Sequence, residues 1–460
     1  MLKALLLILL VIIAFPVYIF FIESPSPLPD LDYNAWWGPE HLRQKQDTSV
    51  RPFRINFTEP MINDLRSRLR NHRAFTPPLE GIGFQYGFNS KALDPWIRYW
   101  AEEYPFRERE KYINKFPQFK TNIQGLDIHF LRIKPQVSGN VEVVPLLLVH
   151  GWPSSVLEFY SVIPLLTAVN KGKDFVFELI IPSIPGYGYS DAAVRPGLGA
   201  IEVAVVFRNL MHRLGHKRFY IQGGDWGAVI CSNMATLFPN EVLGHHTNLG
   251  VQRDLKSILA EFLIAIYPSL FVDSELVERL YPLSKSLSFL IEESGYFHIQ
   301  ATKPDTIGVA LTDSPVGLLA YNLEKVSVAT RAHNRELEDG GLTKYFTREH
   351  LIDNLMFYWA TNSVTSSMRL YAESVCKKQL SMKVIEHPTP VPTWVIQAKY
   401  EISYQPPIIL RLKYPNLVNV TVLHDGGHFL ATELPRVFAD DLFTAVQSFR
   451  NFNRNIKTEL

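Results

Sequence analysis

GGDWGA, Gly223 to Ala228, is the stretch that decides how the fold of this chain is interpreted. A short β-branched and aromatic run, Phe219 to Ile221, precedes it, and a helix-competent run, Ala228 to Phe238, follows it. A strand, a tight Gly-containing turn and a helix in this order are the context of a nucleophile elbow, here G-x-D-x-G in place of G-x-S-x-G. The small residues let strand and helix approach closely around a strained turn. We therefore predict Asp225 at such an elbow.

A carboxylate at this position needs no base to activate it. It can attack an sp3 carbon directly and form an ester, which water must then hydrolyse. This chemistry suits epoxides or alkyl halides, and not peptides or ordinary esters. The alternative is that Asp225 is only a turn or helix N-cap residue, since Asp is common before helices. The partners of Asp225 further along the chain decide between the two.

Composition limits the class of protein. The chain has 460 residues, 47% of them hydrophobic, so it can bury a large core and carry elaborations around it. A formal net charge of +1 provides no general attraction for nucleic acid, which we do not expect as a partner. The two cysteines, Cys231 and Cys376, do not make a disulfide framework. The sequence contains no zinc-ligand spacing and no phosphate-binding Gly loop, and we expect neither a metal nor an organic cofactor.

The N-terminal residues form a separate region. Residues 4–22 are an unbroken uncharged apolar run, long enough to cross a bilayer, with Pro16 inside it. We predict a retained membrane anchor that contacts lipid through these residues. A cleaved signal peptide is the alternative, but the run exceeds a usual h-region and no A-x-A-like site follows. The charges that flank the run weakly favour a cytoplasmic N-terminus, although acids count little in the positive-inside rule.

The pattern after residue 143 predicts an α/β fold. Apolar or β-rich runs at 143–150, 175–181, 218–222 and 242–249 alternate with helical stretches, which suits parallel strands covered on both faces. Runs at 394–398 and 418–423 resume the sheet late, so we predict a mostly parallel sheet interrupted by a helical lid. The predicted division is a membrane anchor (1–23), a linker and N-terminal wrapping segment (24–140), a first core part (141–250), the lid (251–386) and a second core part (387–460).

His428 is the candidate general base. An ester on Asp225 must be cleaved by activated water, and His428 lies just after the last predicted strand, in HDGGHF, where two glycines let the loop bend sharply. His424 is an alternative, but it falls at the strand end with less freedom to point inward. A lone histidine would normally be structural, bonded to loop carbonyls. The predicted elbow favours catalysis here.

Glu401 is the candidate acid that orients His428. A neutral imidazole removes a proton best when an acid holds its other ring nitrogen. Glu401 follows a predicted strand, and the order Asp225, Glu401, His428 is the nucleophile–acid–base order of an elbow hydrolase. Asp425 and Glu433 also lie near His428 in sequence, and spacing alone excludes neither.

Two backbone N–H groups are candidates for an oxyanion hole. One belongs to Trp226, the residue after the nucleophile, and the other to Trp152 in HGWPS, His150 to Ser154. A structural Gly-Trp-Pro turn is compatible with the same geometry. Epoxide opening also needs a proton donor on the leaving oxygen. A pair of tyrosines could provide it, but among 20 tyrosines the residues alone do not identify the pair.

Several motifs together resemble one family. HGWPSS, PGYGYSD, GGDWGA, SGYFHIQATKPDT and GGHF occur in this order, and with the N-terminal run the chain resembles a microsomal epoxide hydrolase of the α/β-hydrolase superfamily. TNSVTSSMRLYAES resembles in particular the insect juvenile hormone epoxide hydrolases, whose substrate is a lipophilic terpenoid epoxide ester. The resemblance implies an α/β-hydrolase fold. It assigns the catalytic triad to Asp225, Glu401 and His428.

The resemblance also implies which tyrosines donate protons and where in the cell the protein lies, which the residues alone do not identify. It identifies Tyr296 and Tyr371 as lid tyrosines that polarise the epoxide and donate protons to its oxygen, and it places Trp152 at the oxyanion hole. It implies a single-pass protein of the endoplasmic reticulum, or microsomal, membrane with the catalytic domain in the cytosol. That orientation conflicts with the weak charge argument above.

We therefore predict an epoxide hydrolase that converts lipophilic epoxides, juvenile hormone first among them, to vicinal diols with water as the second substrate. The enzymatic alternatives are a general xenobiotic epoxide hydrolase and a haloalkane dehalogenase. A dehalogenase would bind halide with Trp or Asn donors in place of a tyrosine pair. A silent carrier for a hydrophobic hormone is the non-enzymatic alternative, but a carrier has no evident need for an elbow carboxylate.

Overall fold

A mixed nine-stranded β-sheet lies at the centre of the computed structural model, which describes residue 14 and residues 18–22, 27–169 and 172–459. The strands are β1 (Arg51–Phe53), β2 (Gln118–Ile123), β3 (Leu126–Ile133), β4 (Glu142–Val149), β5 (Phe175–Pro182), β6 (Phe219–Gly223), β7 (Val242–Thr247), β8 (Thr393–Gln397) and β9 (Leu417–Val422). Across the sheet they lie in the order β1-β2-β3-β5-β4-β6-β7-β8-β9. β4 to β9 are parallel, and β1 to β3 are antiparallel to their neighbours. The predicted mostly parallel sheet is confirmed.

The parallel strands form in apolar or β-rich runs of the sequence. Every residue of β5, β6 and β8 is buried. Such strands need no polar face, because helices cover both sides of a parallel sheet. The six predicted runs correspond to β4 to β9, with ends that differ by no more than two residues.

Helices cover the sheet and fill the long connections. In chain order they are α1 (Glu59–Arg70), α2 (Leu93–Arg98), α3 (Phe106–Ile113), α4 (Ile163–Thr167), α5 (Ala200–Arg213), α6 (Trp226–Leu237), α7 (Leu255–Ile264), α8 (Val277–Leu280), α9 (Leu283–Glu293), α10 (Gly295–Thr302), α11 (Pro304–Asp313), α12 (Pro315–Thr330), α13 (Leu342–Tyr345), α14 (Arg348–Trp359), α15 (Val364–Ser374), α16 (Lys377–Ser381), α17 (Pro407–Lys413), α18 (Leu430–Glu433) and α19 (Pro435–Glu459). α5 packs against α6, and α19 packs against β7 and β9. The C-terminal helix thus covers the part of the sheet that contains β7 and β9.

The segment before β4 extends the sheet as well as wrapping it. β2 and β3 form a hairpin whose two-residue turn, Gln124-Gly125, has positive φ at both positions. Trp36 and Trp37 are buried beside this turn, and the Trp37 N–H donates to the Gln124 carbonyl at 2.8 Å. The strands β1 to β3 were not expected from the sequence, which predicts only a wrapping segment here.

Helices α7 to α16 occupy the chain between β7 and β8, and we call this stretch the helical insertion. A buried ionic contact fastens it to the N-terminal segment. Asp353 of α14 is fully buried, accepts from Arg109 Nε of α3 at 3.0 Å and accepts from the Tyr104 hydroxyl at 2.7 Å. An exposed ion pair, Arg68 with Asp313 at 2.8 Å, joins the same two regions at the surface.

The membrane anchor predicted for residues 1–23 lies mostly outside the described residues. From residue 27 the chain runs largely exposed until Trp36, where it becomes buried. Within the part of the chain that the structure describes, no helix combines the length and the apolar character that crossing a bilayer requires.

Candidate active site

Asp225 lies where β6 ends and α6 begins. Its backbone has a φ of 49° and a ψ of −128°, a conformation that residues other than glycine rarely adopt, so the turn is strained. Two glycines allow the surrounding segments to meet. A Cβ on Gly223 would lie 2.3 Å from the Gly227 carbonyl, and one on Gly227 would lie 2.0 Å from the Val149 oxygen. The Asp225 side chain does not cap its own helix and is therefore free for other contacts.

The loop after β4 holds the Asp225 carboxylate. The Trp152 N–H donates to Asp225 Oδ1 at 2.8 Å. Gly151 permits this approach, because a Cβ at that position would lie 2.2 Å from Oδ1. Trp226 is the first residue of α6, so its N–H is one of the donors at a helix N-terminus that have no intrahelical partner. The structure thus places the Trp152 N–H on the Asp225 carboxylate, and the Trp226 N–H stays a prediction as the second donor.

His428 and Glu401 complete a row of three side chains. His428 Nε2 lies 3.4 Å from Asp225 Oδ2, and His428 Nδ1 lies 2.6 Å from Glu401 Oε1. The side chains of His428 and Glu401 are buried, whereas that of Asp225 is partly exposed. Because Glu401 occupies Nδ1, Nε2 is the nitrogen that faces Asp225 and any water beside it. The structure thus brings together the three residues that the sequence singles out.

The other candidates near His428 have different surroundings. Asp425 and Glu433 both bind Arg331, each with an N–O distance of 2.7 Å. Glu433 also accepts two backbone N–H groups of the loop that carries His428, at 2.9 and 3.1 Å. His424 is exposed. These acids therefore hold the loop in place, and Glu401 is the acid that contacts the imidazole.

The neighbouring carboxylates control the protonation of His428. Burial by itself would lower the pKa of His428, but Glu401 and Asp225 together outweigh burial and raise that pKa well above its ordinary value. The imidazolium form of His428 is therefore favoured by its two neighbours. A reaction that neutralises Asp225 removes one of the two negative charges that stabilise the imidazolium form of His428.

Tyr296 and Tyr371 come from α10 and α15 of the helical insertion, and their ring centroids are 6.2 Å apart. Trp152 stacks on Tyr296 at 5.3 Å, and Trp226 meets Tyr371 edge-on at 4.8 Å. Both tyrosines therefore pack on the residues that adjoin Asp225. Burial is the largest cause that raises the pKa of each phenol, and the negative charge of Asp225 adds to it. Both phenols keep their protons at neutral pH.

A cavity of about 230 Å³ opens beside these groups. Trp152, Asp225, Tyr296 and His428 all line it. Most of the remaining wall is apolar and consists of Leu249, Val251, Phe289, Leu290, Val328, Ala329, Ile402 and Phe429. Apolar walls with a few convergent polar groups are typical of sites for small uncharged molecules.

Glu158 is a member of the site that sequence-based reasoning missed. It lies in the short 3-10 helix Val156–Phe159, and it is buried close enough to His428 and Asp225 for their charges to act on it. Burial raises the pKa of Glu158 to about 7. A charged residue inside the apolar run of residues 156–166 is the one signal in the sequence that could have pointed to it.

Tyr321 was missed as well. Its ring meets that of Trp152 edge-on at 5.8 Å, and its hydroxyl accepts from Gln300 Nε2 at 3.2 Å. Nothing in the sequence separates it from the other tyrosines, because its neighbours form an ordinary helical pattern. It adds a third phenol to the surroundings of Trp152.

Comparison with known proteins identifies the family. A family model described as epoxide hydrolase N terminus matches residues 50–159, and a model of the alpha/beta hydrolase fold matches residues 144–258. Over 452 residues the chain is 58% identical to juvenile hormone epoxide hydrolase of Bombyx mori, an alignment that covers 98% of each chain. The chain belongs to the epoxide hydrolase family.

Likeness within the epoxide hydrolase family extends to mammals and to solved structures. Epoxide hydrolase 1 of Sus scrofa is 44% identical, over 89% of this chain and 91% of its own. A crystal structure of juvenile hormone epoxide hydrolase from Bombyx mori has a TM-score of 0.91 at 59% identity and covers 92% of this chain and 100% of that one. The α/β-hydrolase fold is confirmed, and the protein is an epoxide hydrolase and a homologue of the juvenile hormone enzymes.

Proposed function

We propose that this epoxide hydrolase opens lipophilic epoxides, juvenile hormone first among them, through a covalent ester on Asp225 and releases a vicinal diol. One observation carries the proposal. Asp225 Oδ1 accepts from the Trp152 N–H while Oδ2 faces His428 Nε2. A carboxylate held in this way is oriented for attack, and the group that must later activate water is already beside it.

In the first step an Asp225 oxygen attacks an epoxide carbon, and the bond from that carbon to the epoxide oxygen breaks. Tyr296 and Tyr371 donate hydrogen bonds to the departing oxygen, which takes a proton from one of them. The raised pKa of both phenols supports this role, because only a protonated phenol can donate. The step leaves a hydroxyalkyl ester on Asp225 and one tyrosinate.

The proton of His428 then restores the tyrosine. Esterification removes the charge of Asp225, so the pKa of His428 falls from its raised value. The imidazolium passes its proton to the tyrosinate, and both groups become neutral. His428 thus becomes a base only when there is an ester to hydrolyse.

In the second step neutral His428, oriented by Glu401, removes a proton from water, and the resulting hydroxide attacks the carbonyl carbon of the ester. The N–H groups of Trp152 and Trp226 stabilise the oxyanion that forms. Loss of such a donor commonly costs about 2.7–4 kcal/mol of transition-state stabilisation. Collapse of the intermediate releases the diol and restores the Asp225 carboxylate and protonated His428, so the proton balance of the cycle closes.

The cavity supports a lipophilic epoxide as the substrate class. Its wall is mostly apolar, with Phe289, Leu290 and Val328 among its residues. Similarity to the Bombyx mori enzyme supports a terpenoid epoxide ester of the juvenile hormone type. Similarity to epoxide hydrolase 1 of Sus scrofa supports a broader xenobiotic range as the second candidate. Comparing kcat/KM for a terpenoid epoxide ester with that for an aromatic epoxide decides between them.

A membrane location follows from the same substrate class. Residues 4–22 would anchor the protein in the endoplasmic reticulum membrane, where lipophilic epoxides accumulate. We place the catalytic domain on the cytosolic side, as the resemblance to microsomal enzymes implies. Protease treatment of intact microsomes should then degrade the domain, and resistance that persists until detergent is added would reverse the orientation.

Single-turnover reaction in heavy-oxygen water tests the chemistry. With enzyme in excess over a juvenile-hormone-type epoxide, the heavy oxygen should enter the Asp225 side chain, and the first diol released should carry none. Mass spectrometry of the diol and of the peptide that contains Asp225 measures both. Heavy oxygen in the diol on the first turnover would mean that water attacks the epoxide directly, and the assigned roles would be wrong.

A halide assay separates the nearest rival chemistry. The same enzyme is given an epoxide and an alkyl chloride side by side, and diol and chloride are both measured. We expect diol from the epoxide. Chloride release without diol formation would favour a dehalogenase, and stoichiometric binding without turnover would favour a hormone carrier.

A further inference from the structure

The first part of the helical insertion exposes much apolar surface. Between Leu255 and Phe297 twelve large hydrophobic residues are exposed, among them Ile266 at 79%, Ile291 at 73% and Leu270 at 70%. Soluble monomers rarely expose apolar patches of this extent unless the patch has a partner.

Two neighbouring stretches present this surface. No residue of α9 is buried, and its Leu287, Leu290 and Ile291 share one face at i, i+3 and i+4 spacing. Around the end of α7, Phe262, Ile266 and Leu270 recur at intervals of four. We call these six residues the apolar rim.

The part of the apolar rim on α9 borders the active-site cavity. Leu290 belongs to both, and its neighbour Phe289 lines the cavity as well. The acids nearby bind cations of the protein: Glu292 binds Arg335 at 2.6 Å, and Glu261 binds Arg253 at 2.8 Å. Glu292 and Glu261 are therefore paired with cations, and the apolar side chains have no comparable partner among the described residues.

We propose that the apolar rim rests in the surface of the bilayer, so that the active-site cavity opens toward lipid. The inference rests on the proposed function, because a lipophilic epoxide would then pass from the bilayer to Asp225 without crossing water. It adds to the anchor a second membrane contact, made by the catalytic domain itself.

A lipid surface is the occupant that the chain favours. The apolar run of residues 4–22 keeps a bilayer within reach of the domain. Residues 255–303 carry four Lys or Arg and six Asp or Glu, so the region offers no basic patch for anionic headgroups or nucleic acid. Apolar burial therefore provides the attraction. Amphipathic helices that bind in this way insert their apolar face about 5–10 Å into the interface.

Fluorescence quenching in vesicles tests the contact. The full chain, with Cys376→Ala to remove the accessible thiol, is labelled with an environment-sensitive fluorophore at Ile266→Cys or at Ile291→Cys and reconstituted into phosphatidylcholine vesicles. Cys231 is buried and stays unlabelled. Lipids with nitroxide-labelled acyl chains should quench both probes by about two-fold or more, because the probes lie within the interface.

Val143→Cys is the matched control position. Val143 is also an exposed apolar residue, but it lies at the amino end of β4. Asp225 follows the carboxyl end of the parallel strand β6, so the two residues lie at opposite ends of the strands. A probe there should not be quenched. Since the anchor is present in every variant, the difference between positions reports how the domain faces the membrane and not whether the protein is attached.

A kinetic comparison separates this inference from the chemistry. The double variant Ile266→Ser with Leu270→Ser should raise KM for a lipophilic epoxide presented in vesicles by about ten-fold or more, because two apolar side chains no longer enter the interface. Its kcat, and its kcat/KM for a small water-soluble epoxide, should match the wild type. Failure of the proposed function would instead abolish turnover of both substrates in both proteins.

Equal, weak quenching at Ile266, Ile291 and Val143 would overturn the proposal. Probes at Ile266 and Ile291 that are shielded from water but not quenched by lipid nitroxides, together with a dimeric mass, would assign the face to a second copy of the chain and would also overturn it.

Discussion

In the proposed mechanism Asp225 and His428 change charge in alternation, and two distances support this coupling. His428 Nδ1 lies 2.6 Å from Glu401, so the attraction of one carboxylate is permanent. Its Nε2 lies 3.4 Å from Asp225, whose charge disappears in the ester. Each histidine nitrogen therefore faces an acid with a different task. One carboxylate keeps the ring in place, and the other sets when the ring releases its proton.

His428→Gln should form the ester and fail to hydrolyse it. Glutamine cannot take a proton from water, whereas Asp225 and the Trp152 N–H remain in place. We expect kcat to fall by at least about 100-fold, with a stoichiometric burst of covalent adduct. Intact-protein mass spectrometry after rapid quenching detects the adduct, and Asp225→Ala should show none. Turnover of His428→Gln at the wild-type rate would mean that another residue is the base.

Glu158 makes folding stability depend on pH. Its pKa is about 7 in the folded protein, raised mainly by burial from an ordinary value of 4.5. The folded state therefore binds the Glu158 proton more tightly than the unfolded state does. The corresponding stability is fully present below pH 4.5 and is lost as pH rises through about 7.

Glu158→Gln should remove this loss. The free energy of unfolding of Glu158→Gln minus that of the wild type should be larger at about pH 8 than at about pH 5, by up to about 3 kcal/mol. Urea denaturation at the two pH values measures the difference. Glu80→Gln, at an exposed glutamate, should give the same difference from wild type at both pH values. A flat result for Glu158→Gln would show that Glu158 is ionised in the fold.

The active site depends on how closely three elements fit, namely β4 with its loop, the turn after β6, and α6. Gly227 lies against the Val149 carbonyl, and Gly151 lies against the Asp225 side chain. These contacts place a backbone donor on Asp225 without any flexible side chain. The donor is therefore fixed before substrate arrives, which is the arrangement that lowers reorganisation during catalysis.

Gly151→Ala should displace the Asp225 carboxylate. The added Cβ would lie 2.2 Å from Asp225 Oδ1, a distance that forces the side chain or the loop to move. We expect kcat/KM to fall by about 100-fold or more, since small misplacements at a reacting centre have effects of this size. Gly295→Ala is the control, because a Cβ there meets nothing within 4 Å and activity should stay within about two-fold of wild type. Comparable activity of both variants would contradict the close fit.

The strands that the sequence predicts are those whose residues are mostly apolar over several positions. β5 and β6 are mostly apolar and entirely buried, and the predicted runs match them. β2 and β3 were missed because they belong to an antiparallel edge, where intermediate and buried positions mix. Their turn, Gln124-Gly125, lacks the Asn-Gly or Asp-Gly pair that usually marks a two-residue hairpin.

The site was predictable in its parts and not in its choice among acids. Asp225 and His428 follow strands at glycine-containing turns, which are local signals. Spacing alone excludes none of Glu401, Asp425 and Glu433, and the contacts in the fold show which of them binds the imidazole. Arg331, far upstream in sequence, binds both Asp425 and Glu433. Contacts between such distant residues have no signature in a single sequence.

The whole molecule is held together by contacts between regions that are remote in sequence. Asp353 of the helical insertion is fully buried against Arg109 and Tyr104 of the N-terminal segment. This buried contact joins the insertion, which carries Tyr296 and Tyr371, to the N-terminal segment.

Asp353→Ala should destabilise the fold by about 3–5 kcal/mol, because it leaves the half-buried Arg109 cation without its carboxylate. Asp313→Ala breaks the ion pair that joins the same two regions at the surface, where Asp313 is 84% exposed. Its cost should stay below about 1 kcal/mol. Urea denaturation of both variants in detergent solution measures the difference. Equal costs would mean that burial does not distinguish the two contacts.

β7 and β8 are hydrogen-bonded neighbours, although the entire helical insertion lies between them along the chain. On the ribosome the nucleophile elbow is therefore synthesised long before the strands that lead to Glu401 and His428. Domains fold from the N-terminal side during synthesis, and pairing of remote strands is slow. Under the proposed mechanism, a chain that has not yet formed β8 and β9 could not hydrolyse an ester on Asp225. The order of strands thus places the residues proposed for ester hydrolysis, Glu401 and His428, after Asp225, the residue proposed to form the ester.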